Sequence, residues 1–395
     1  MQTVRVSFGL SLLTLCLCTA VLAQQAGRIE SMKLLTADVG WAATSKKLYW
    51  TTDGGASWKD VTPKLNHKHQ AVSSVFFLDG STGWALLSCS DSRDLVADAS
   101  CFELASTTDA GSSWSVLNER VKLGFTKAQL EEGYGFSGRS WLYFVDPLHG
   151  WEILDVNTSP ASPSAGEMLR TEDGGKTWAP TRDTPTSDHF LFVNTTEGWI
   201  AGGKEGDLFV THDAGDNWQK IELAVPKGIP PDLSPVYGLP AFDDANNGHL
   251  AATYEGSTST GTPLVLFETG DGGKTWRPTA KTDPLPDAHP WAPHPSSIVG
   301  GGLLVAAASS GRVDLTRVVR GTEPKTQTAR SPVPASIVDE LSFPNLQRGW
   351  ILASYWLLST EDGGVSWRDV TPYPKLTVPP LAFLDRGTAA RYAPC

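Results

Sequence analysis

Six aspartates occupy the same place in a repeated string, and they are the first residues in this chain that could do chemistry. Each lies in the pattern Thr-x-Asp-x-Gly-x-x-Trp, and they are Asp53, Asp109, Asp173, Asp213, Asp271 and Asp362. Repeated carboxylates could coordinate Ca²⁺ or act as acids and bases. However, a turn aspartate that accepts backbone N–H groups needs no ion, and the glycine suits a left-handed turn position. We therefore interpret the six aspartates as structural and predict no metal ion and no cofactor.

A second set of candidates consists of aromatic and basic residues outside the repeats. Aromatic and arginine side chains are typical anchors of a protein partner. The candidate partner-binding residues are Trp141, Trp291, Trp356, His289, His294, Arg120, Lys127 and Arg139. Packing within the sheets is the alternative for Trp141 and Trp356. A solvated loop of mixed charge is the alternative for the basic residues, because Glu131 and Glu132 nearly cancel their charge.

The repeats define the elements that must position these residues. Ahead of each turn, an apolar segment ends in an acidic or amide loop followed by Gly-Trp, as at Trp84 and Trp151, with His249 once in the Trp place. Each unit therefore carries four strands, A to D, where A precedes the acidic loop, B begins at Gly-Trp, C ends at the turn and D begins at the turn Trp. The long interval before Asp362 holds one more unit, with strand-like runs from Gly302 and Gly311.

Seven four-stranded units predict an all-β, seven-bladed β-propeller, with counts of six and eight blades as the alternatives. The composition agrees, because 15 Trp, 38 Gly and 27 Pro favour short strands and tight turns over long helices. We predict one domain over 24–395, with blades at roughly 28–62, 72–118, 140–182, 189–222, 238–280, 295–330 and 339–371, and a closing segment at 379–395.

Strand alternation sorts the connections between strands onto two faces of the propeller. The A-to-B and C-to-D turns share one face, and the B-to-C and D-to-A loops share the other. Nearly all insertions fall in the second group, for example 88–100, 119–139 and 281–295. Because loops on a rigid scaffold carry function, we expect a ligand to bind this second face.

The N-terminal 23 residues predict a cleaved secretory signal peptide. Arg5 precedes an apolar stretch, and small residues lie just ahead of Gln24. We expect export to the periplasm or the cell exterior, or to the thylakoid lumen if the source is photosynthetic. No later stretch is apolar for long enough to span a membrane.

Charge and cysteine content narrow the chemistry further. The formal charge of −11 disfavours binding to nucleic acids, since neutralising phosphates needs a basic surface. In an oxidising compartment Cys89 and Cys101 are close enough in the chain to form a disulfide, whereas Cys395 is left over. We expect a monomer.

The turn pattern resembles the Asp-box, or BNR repeat, of propellers such as sialidases, xyloglucanases and sortilin-type receptors. Together with the segment Phe-x-Asp-x-x-x-Gly-Trp-Ala, it resembles the photosystem II stability/assembly factor family and its bacterial relatives, over roughly 30–392. The resemblance implies an exported propeller without a known reaction. It favours a non-catalytic, protein-binding scaffold or assembly factor, with a glycan as the alternative ligand.

A glycoside hydrolase of sialidase or xyloglucanase type is the alternative function. Such enzymes need two carboxylates at a set separation, or an arginine triad with a Tyr/Glu pair. The Arg-Ile-Pro segment of sialidases is absent, because Arg28-Ile-Glu lacks the proline. The acidic candidates are Asp188, Asp244, Glu255, Asp339 and Glu340, and no local signature connects them.

Overall fold

The computed structural model describes residues 28–64, 70–89, 101–118, 135–157, 165–182, 184–203, 205–256, 263–283 and 296–372. The predicted signal peptide at 1–23 and the predicted closing segment at 379–395 lie outside the described residues.

Seven antiparallel sheets, each built from strands consecutive in sequence, form the described part of the chain. Blade 1 contains β1 (Ile29–Leu34), β2 (Gly40–Thr44), β3 (Leu48–Thr51) and β4 (Lys59–Asp60). Blade 2 contains β5 (Gln70–Phe77), β6 (Gly83–Cys89), β7 (Cys101–Thr107) and β8 (Ser115–Asn118). Blade 3 contains β9 (Gly135–Phe144), β10 (Gly150–Asn157), β11 (Ala165–Thr171) and β12 (Ala179–Pro180). Blade 4 contains β13 (Phe190–Phe192), β14 (Gly198–Gly202), β15 (Asp207–Thr211) and β16 (Gln219–Ile221).

The remaining three blades follow the same order, with one interruption. Blade 5 contains β17 (Ser234–Tyr237), β18 (Ala241–Phe242), β19 (Gly248–Glu255), β20 (Leu264–Thr269) and β21 (Arg277–Lys281). Its A strand is split into β17 and β18, which both pair with β19, and Pro240 between them has no N–H to donate. Blade 6 contains β22 (Ser296–Val299), β23 (Gly302–Ser309), β24 (Arg312–Val319) and β25 (Lys325–Arg330). Blade 7 contains β26 (Val338–Ser342), β27 (Gly349–Ala353), β28 (Trp356–Thr360) and β29 (Arg368–Asp369).

The ring is closed by contacts between the first and last blades. The A strands of neighbouring blades touch one another, for example β5 with β9 and β1 with β26, so the A strands are innermost. Blade 1 packs on blade 7, where the N–H of Met32 donates to Glu340 Oε2 over 3.3 Å and the N–H of Leu34 donates to Ser342 Oγ over 3.0 Å. The predicted seven-bladed, all-β propeller is confirmed.

Each Asp-box closes its own turn with the same hydrogen bonds. The threonine hydroxyl donates to aspartate Oδ1 over 2.7–2.9 Å and accepts the N–H of the residue two after the aspartate over 2.8–3.0 Å. Oδ1 also accepts the N–H four residues after the aspartate, over 2.8–2.9 Å. In all six blades the residue after the aspartate donates its N–H to a carbonyl of the A-to-B turn, as Gly174 does to Leu148 over 2.8 Å. The two kinds of turn therefore share one face.

The glycine of the Asp-box is required both by its own backbone conformation and by the neighbouring blade. Gly111 has φ of 76°, and a Cβ there would lie 2.9 Å from Val61 Cβ of blade 1. Gly215 has φ of 95°, and its Cβ would lie 2.7 Å from Met168 Sδ of blade 3. A larger residue would strain the turn and separate two blades.

The Gly-Trp tryptophans link each blade to the next one. Trp84 Nε1 donates to the carbonyl of Gly174 over 3.0 Å, and its ring stacks on Phe144 with centroids 3.7 Å apart. Likewise, Trp151 Nε1 donates to the carbonyl of Ala214 over 2.9 Å, and its ring stacks on Phe192 with centroids 3.6 Å apart. These indoles contact the Asp-box of the following blade, so the two repeated motifs together form the boundary between blades.

His249 replaces this tryptophan at the one boundary where the next blade has no Asp-box. Blade 6 lacks the Thr-x-Asp-x-Gly-x-x-Trp string, so an indole of blade 5 would have no Asp-box to contact there. His249 instead pairs with Asp243 of its own blade, with Nε2 and Oδ2 2.8 Å apart. The two departures from the repeat therefore meet at the same boundary between blades.

Candidate partner-binding face

The propeller has two faces with different construction. We call the end with the A-to-B turns and the Asp-boxes the Asp-box face, and the end with the B-to-C turns and the D-to-A connections the loop face. In the described residues the Asp-box face repeats the same turn in six of the seven blades, with blade 6 as the exception. Sequence-specific features of a binding surface are therefore expected on the loop face.

A group of exposed apolar side chains lies on the loop face of blade 7. The fractional exposures are 38% for Ile337, 54% for Tyr355 and 37% for Trp356, and we call these three residues the blade 7 aromatic cluster. The hydroxyl oxygen of Ser354 accepts the N–H groups of Ser336 and Ile337 over 3.0 and 3.1 Å. These bonds tie the connection from blade 6 to the turn that carries Tyr355.

The turn that presents Tyr355 is strained. Ala353 and Trp356 are paired residues of β27 and β28, so Ser354 and Tyr355 form a two-residue hairpin loop. Their φ angles are 48° and 83°, the left-handed region in which such loops usually place Asn-Gly. A tyrosine there costs about 1–3 kcal/mol of strain. Backbone strain at an exposed aromatic side chain is typical of a functional position.

Arg28 modifies the charge and shape of this cluster. Its guanidinium carbon lies 4.5 Å from the centroid of the Tyr355 ring, so it covers one ring face. A guanidinium nitrogen lies 3.9 Å from Asp339 Oδ1, and the Arg28 side chain remains 54% exposed. The surface therefore combines apolar side chains with one cation, which suits a peptide better than a sugar that needs an open ring face.

Trp141 packs between blades 3 and 4. Its Nε1 donates to the carbonyl of Ser187 over 2.8 Å, and its ring lies 3.8 Å from the His189 ring, centroid to centroid. The side chain is half-buried. This contact is the packing alternative that the sequence left open, whereas Trp356 is among the exposed residues.

The other predicted partner-binding residues are only partly covered by the structure. Arg139 belongs to β9, of which the backbone is described. The other five candidates lie outside the described residues, and they are Arg120, Lys127, His289, Trp291 and His294.

Cys89 and Cys101 are directly opposite each other in the register of β6 and β7, and their disulfide stays a prediction.

The acidic residues considered for a glycoside hydrolase lie on three blades, and two of them hold local structure. Asp188 Oδ2 accepts the Thr186 hydroxyl over 2.5 Å and the N–H of Gly203 over 2.6 Å. Asp244 accepts the N–H of Asn246 over 2.8 Å within the A-to-B turn of blade 5, on the Asp-box face. Both carboxylates therefore serve as hydrogen-bond acceptors of their own loops.

Glu255, Asp339 and Glu340 come from strands of blades 5 and 7. Burial raises the pKa of Glu255, and burial raises the pKa of Glu340 to about 7 although Lys33 acts in the opposite direction. Glu340 connects blades 7 and 1 through Met32. Within the described ranges, no group of three or more His, Cys, Asp or Glu side chains is arranged to hold a metal ion.

The Asp-box carboxylates keep their charge to unusually low pH. Hydrogen bonds from the Ser or Thr four residues later lower the pKa of Asp53, Asp109, Asp173 and Asp271 to about 2. Both carboxylate oxygens accept hydrogen bonds from within the turn, which is the chemistry of a structural residue.

Sequence reasoning missed a buried carboxyl group, Glu152. It is 1% exposed, and neither carboxylate oxygen has a hydrogen-bond partner among the described residues. Burial, with a smaller contribution from Glu167, raises its pKa to about 8. The available signal was a glutamate between the apolar residues Trp151 and Ile153 near the start of a B strand.

The fold and its six repeated turns define an Asp-box β-propeller of seven blades. Among known proteins, the chain resembles the photosystem II stability/assembly factors. It is 37% identical over 95 residues to the chloroplastic photosystem II stability/assembly factor HCF136 of Arabidopsis thaliana, a match covering 20% of this chain and 23% of that protein. It is 29% identical over 139 residues to the photosystem II assembly lipoprotein Ycf48 of Synechococcus sp. (strain CC9902), covering 34% of each chain. The matches thus span about a quarter to a third of these relatives.

Comparison with solved structures supports the same fold. A structure of YCF48 bound to D1 peptide matches 85% of this chain and 93% of that chain, with a TM-score of 0.52 and 16% identity. The GH74 enzyme of Niastella koreensis matches 86% of this chain and 53% of that chain, with a TM-score of 0.54 and 11% identity. No family model matches the chain.

None of the described residues forms a helix with the length and hydrophobicity that a membrane crossing requires.

Proposed function

We propose that this protein is an exported, non-catalytic scaffold that binds a protein partner on its loop face, as an assembly or stability factor of the photosystem II type. The observation that carries the proposal is the local similarity to HCF136 and Ycf48, which are named as assembly factors. The structure of YCF48 with a D1 peptide is a further reason to consider a peptide ligand for this chain.

The proposed contact surface is the blade 7 aromatic cluster with Arg28, together with the inserted loops of the same face. Exposed aromatic and arginine side chains are the residue types that dominate binding energies at protein interfaces. Trp291 and Arg139 belong to the inserted loops and adjoining strand by their place in the sequence. A partner with an apolar anchor and an acidic group would match this surface.

The proposed location follows from the predicted signal peptide and from the named relatives. We propose export to the periplasm or the cell exterior, with the thylakoid lumen as the destination in a photosynthetic source. Fractionation of the source cells, followed by N-terminal sequencing of the mature protein, tests this part. A protein that keeps residues 1–23 and stays in the cytoplasm would contradict it.

The binding test uses peptides that tile the D1 protein and, in parallel, cross-linking in the exported fraction of the source. Trp356→Ala is expected to weaken the captured complex by about 1–2 kcal/mol, or roughly 5- to 30-fold, the scale of an interface hot spot. Leu148→Ala is the matched control, since Leu148 is 54% exposed on the Asp-box face. The proposal fails if Leu148→Ala weakens the complex and Trp356→Ala does not.

Catalysis is tested with the same preparations. Incubation with xyloglucan and with a sialoside is expected to release no product. Hydrolysis that a single substitution, such as Glu340→Gln, abolishes would show that the protein is a glycoside hydrolase.

A further inference from the structure

Blade 6 is built differently from the other blades at its boundary with blade 7. Its A and B strands are joined by Gly300 and Gly301 alone, because Val299 pairs directly with Gly302. The blade has neither an Asp-box nor a Gly-Trp indole. At the place where blade 2 has Trp84 opposite Ser106, blade 6 has the smaller Leu304 opposite Arg317.

A groove remains where the indole is missing. It lies on the Asp-box face between blades 6 and 7 and has a volume of about 260 Å³. The walls include Arg317, Lys325 and Gln327 from blade 6, and Leu346, Gln347 and Asp362 from blade 7. Leu315 forms the floor and packs against blade 7, since a Cβ on Gly364 would lie 2.9 Å from Leu315 Cδ2.

Two cations face this groove without a carboxylate partner. Arg317 and Lys325 are opposite each other in the register of β24 and β25, and both are exposed. No ion pair of either residue is found among the described residues. Two adjacent positive charges without a partner repel each other and favour an anion between them.

The one carboxylate among the groove residues is already engaged. Asp362 Oδ1 accepts the Thr360 hydroxyl over 2.8 Å and the N–H of Ser366 over 2.9 Å, and Oδ2 accepts the Ser366 hydroxyl over 2.6 Å. These bonds hold it in the Asp-box turn of blade 7. Among the described residues it forms no ion pair with Arg317 or Lys325.

Blade 6 also carries the longest outer strand among the described blades. β25 has six residues, whereas the outer strands of blades 1, 3 and 7 have two. In the sheet order β25 is terminal, so one row of its backbone N–H and C=O groups has no strand beside it in the described part of the chain. Such an edge accepts an additional strand.

Side chains of β25 alternate between the two sides of the sheet. Lys325 and Gln327 are on the side of the groove, and Ala329 on the same side is buried against blade 7. A peptide strand added at this edge would also direct alternate side chains towards the groove. The charge of blade 6 favours an acidic peptide. Residues 296–331 contain five Lys or Arg and two Asp or Glu, although the whole chain has a net charge of −11.

We infer that the groove between blades 6 and 7 binds an extended acidic peptide, which adds as a fifth strand along β25 and directs a carboxylate over the groove, beside Lys325 and towards the longer side chain of Arg317. This surface is on the opposite face from the proposed function and does not depend on it.

The experiment measures binding of a labelled ten-residue peptide that alternates threonine and glutamate, by fluorescence anisotropy with the full mature chain. Arg317→Gln and Lys325→Gln are each expected to weaken binding about five-fold or more, the strength of a charge-assisted hydrogen bond. Arg312→Gln is the matched control, because Arg312 is an exposed cation at the other end of the same strand. Equal losses of affinity in all three variants would show that the peptide responds only to the net charge of the protein. That result would overturn the assignment of the peptide to this groove.

Two further probes test the nature of the ligand. A peptide with proline at alternate positions cannot complete the strand pairing, and it should bind at least ten-fold more weakly. Equal binding of the two peptides would overturn strand addition. Inorganic phosphate at millimolar concentration should leave peptide binding nearly intact, and complete competition would mean that the groove is a site for a free anion.

The Trp356→Ala variant separates this proposal from the preceding one. It should bind the acidic peptide as the unchanged protein does, whatever its effect on the partner at the loop face. Loss of acidic-peptide binding in Trp356→Ala would place the peptide on the loop face and overturn the assignment to blade 6.

Discussion

Glu152 makes the stability of the propeller depend on pH in the neutral range. Its cross-strand neighbours are Leu142 and Leu169, and both belong to the apolar cluster between blades 2 and 3. The side chain is therefore in an apolar boundary, and its pKa is raised from 4.5 to about 8. At neutral pH the folded protein holds this proton, whereas the unfolded chain has lost it.

The direction and size of the effect follow from this difference in bound protons. Between pH 4.5 and about 8 the folded state binds one proton more than the unfolded state, so the free energy of unfolding falls as pH rises. The slope is about 1.4 kcal/mol per pH unit. At pH 7, roughly 2.5 units above the ordinary pKa, the penalty is about 3 kcal/mol.

Glu152→Gln tests this reasoning, because the amide has nearly the same shape and does not titrate. Urea unfolding followed by tryptophan fluorescence should show the variant more stable than the wild type by about 3 kcal/mol at pH 7, but by less than about 1 kcal/mol at pH 5. Glu323→Gln, at an exposed position, should change neither value. A stability difference that stays the same from pH 5 to pH 8 would refute the buried, protonated carboxyl.

Three other changes test the repeated turns, the boundaries between blades and the cysteines. Trp151→Phe keeps the stack on Phe192 and removes the hydrogen bond to Ala214, so urea unfolding should show a loss of about 1–3 kcal/mol. Asp173→Ala should lower stability by about 1–3 kcal/mol at pH 7, with the difference shrinking as pH falls towards 2, because the wild-type carboxylate then becomes protonated; an unchanged difference in acid would argue against its role. Peptide mapping without reductant should find Cys89 joined to Cys101 in the exported protein, and two free thiols would reject the pairing.

The local motifs of this protein were readable from the sequence because their chemistry is contained in short stretches. In the Asp-box, Thr51, Asp53 and Gly55 supply the hydroxyl, the carboxylate and the left-handed residue of one turn within a few positions. Repetition of that turn reveals the period, and the period reveals the propeller. Even the blade without an Asp-box was visible as two apolar runs at the expected interval.

Contacts between blades were not readable in this way, because they join residues that are far apart in the chain. Trp350 donates to the carbonyl of Gly54, and this contact exists only after the last blade meets the first. The same applies to Glu152, since a glutamate in a strand is exposed or buried according to what packs on that side. Trp141 and Trp356 also looked alike in the sequence, and only packing distinguished the half-buried indole from the exposed one.

The sequence by itself determined the turns and the four-stranded unit and favoured seven units, since these features depend on nearby residues and on the alternation of side chains along a strand. The tertiary structure decided which surfaces are free. It exposed Tyr355 on a strained turn, left a groove beside Arg317 and buried Glu152, because exposure depends on the neighbouring blade, whose position is set by closure of the whole ring.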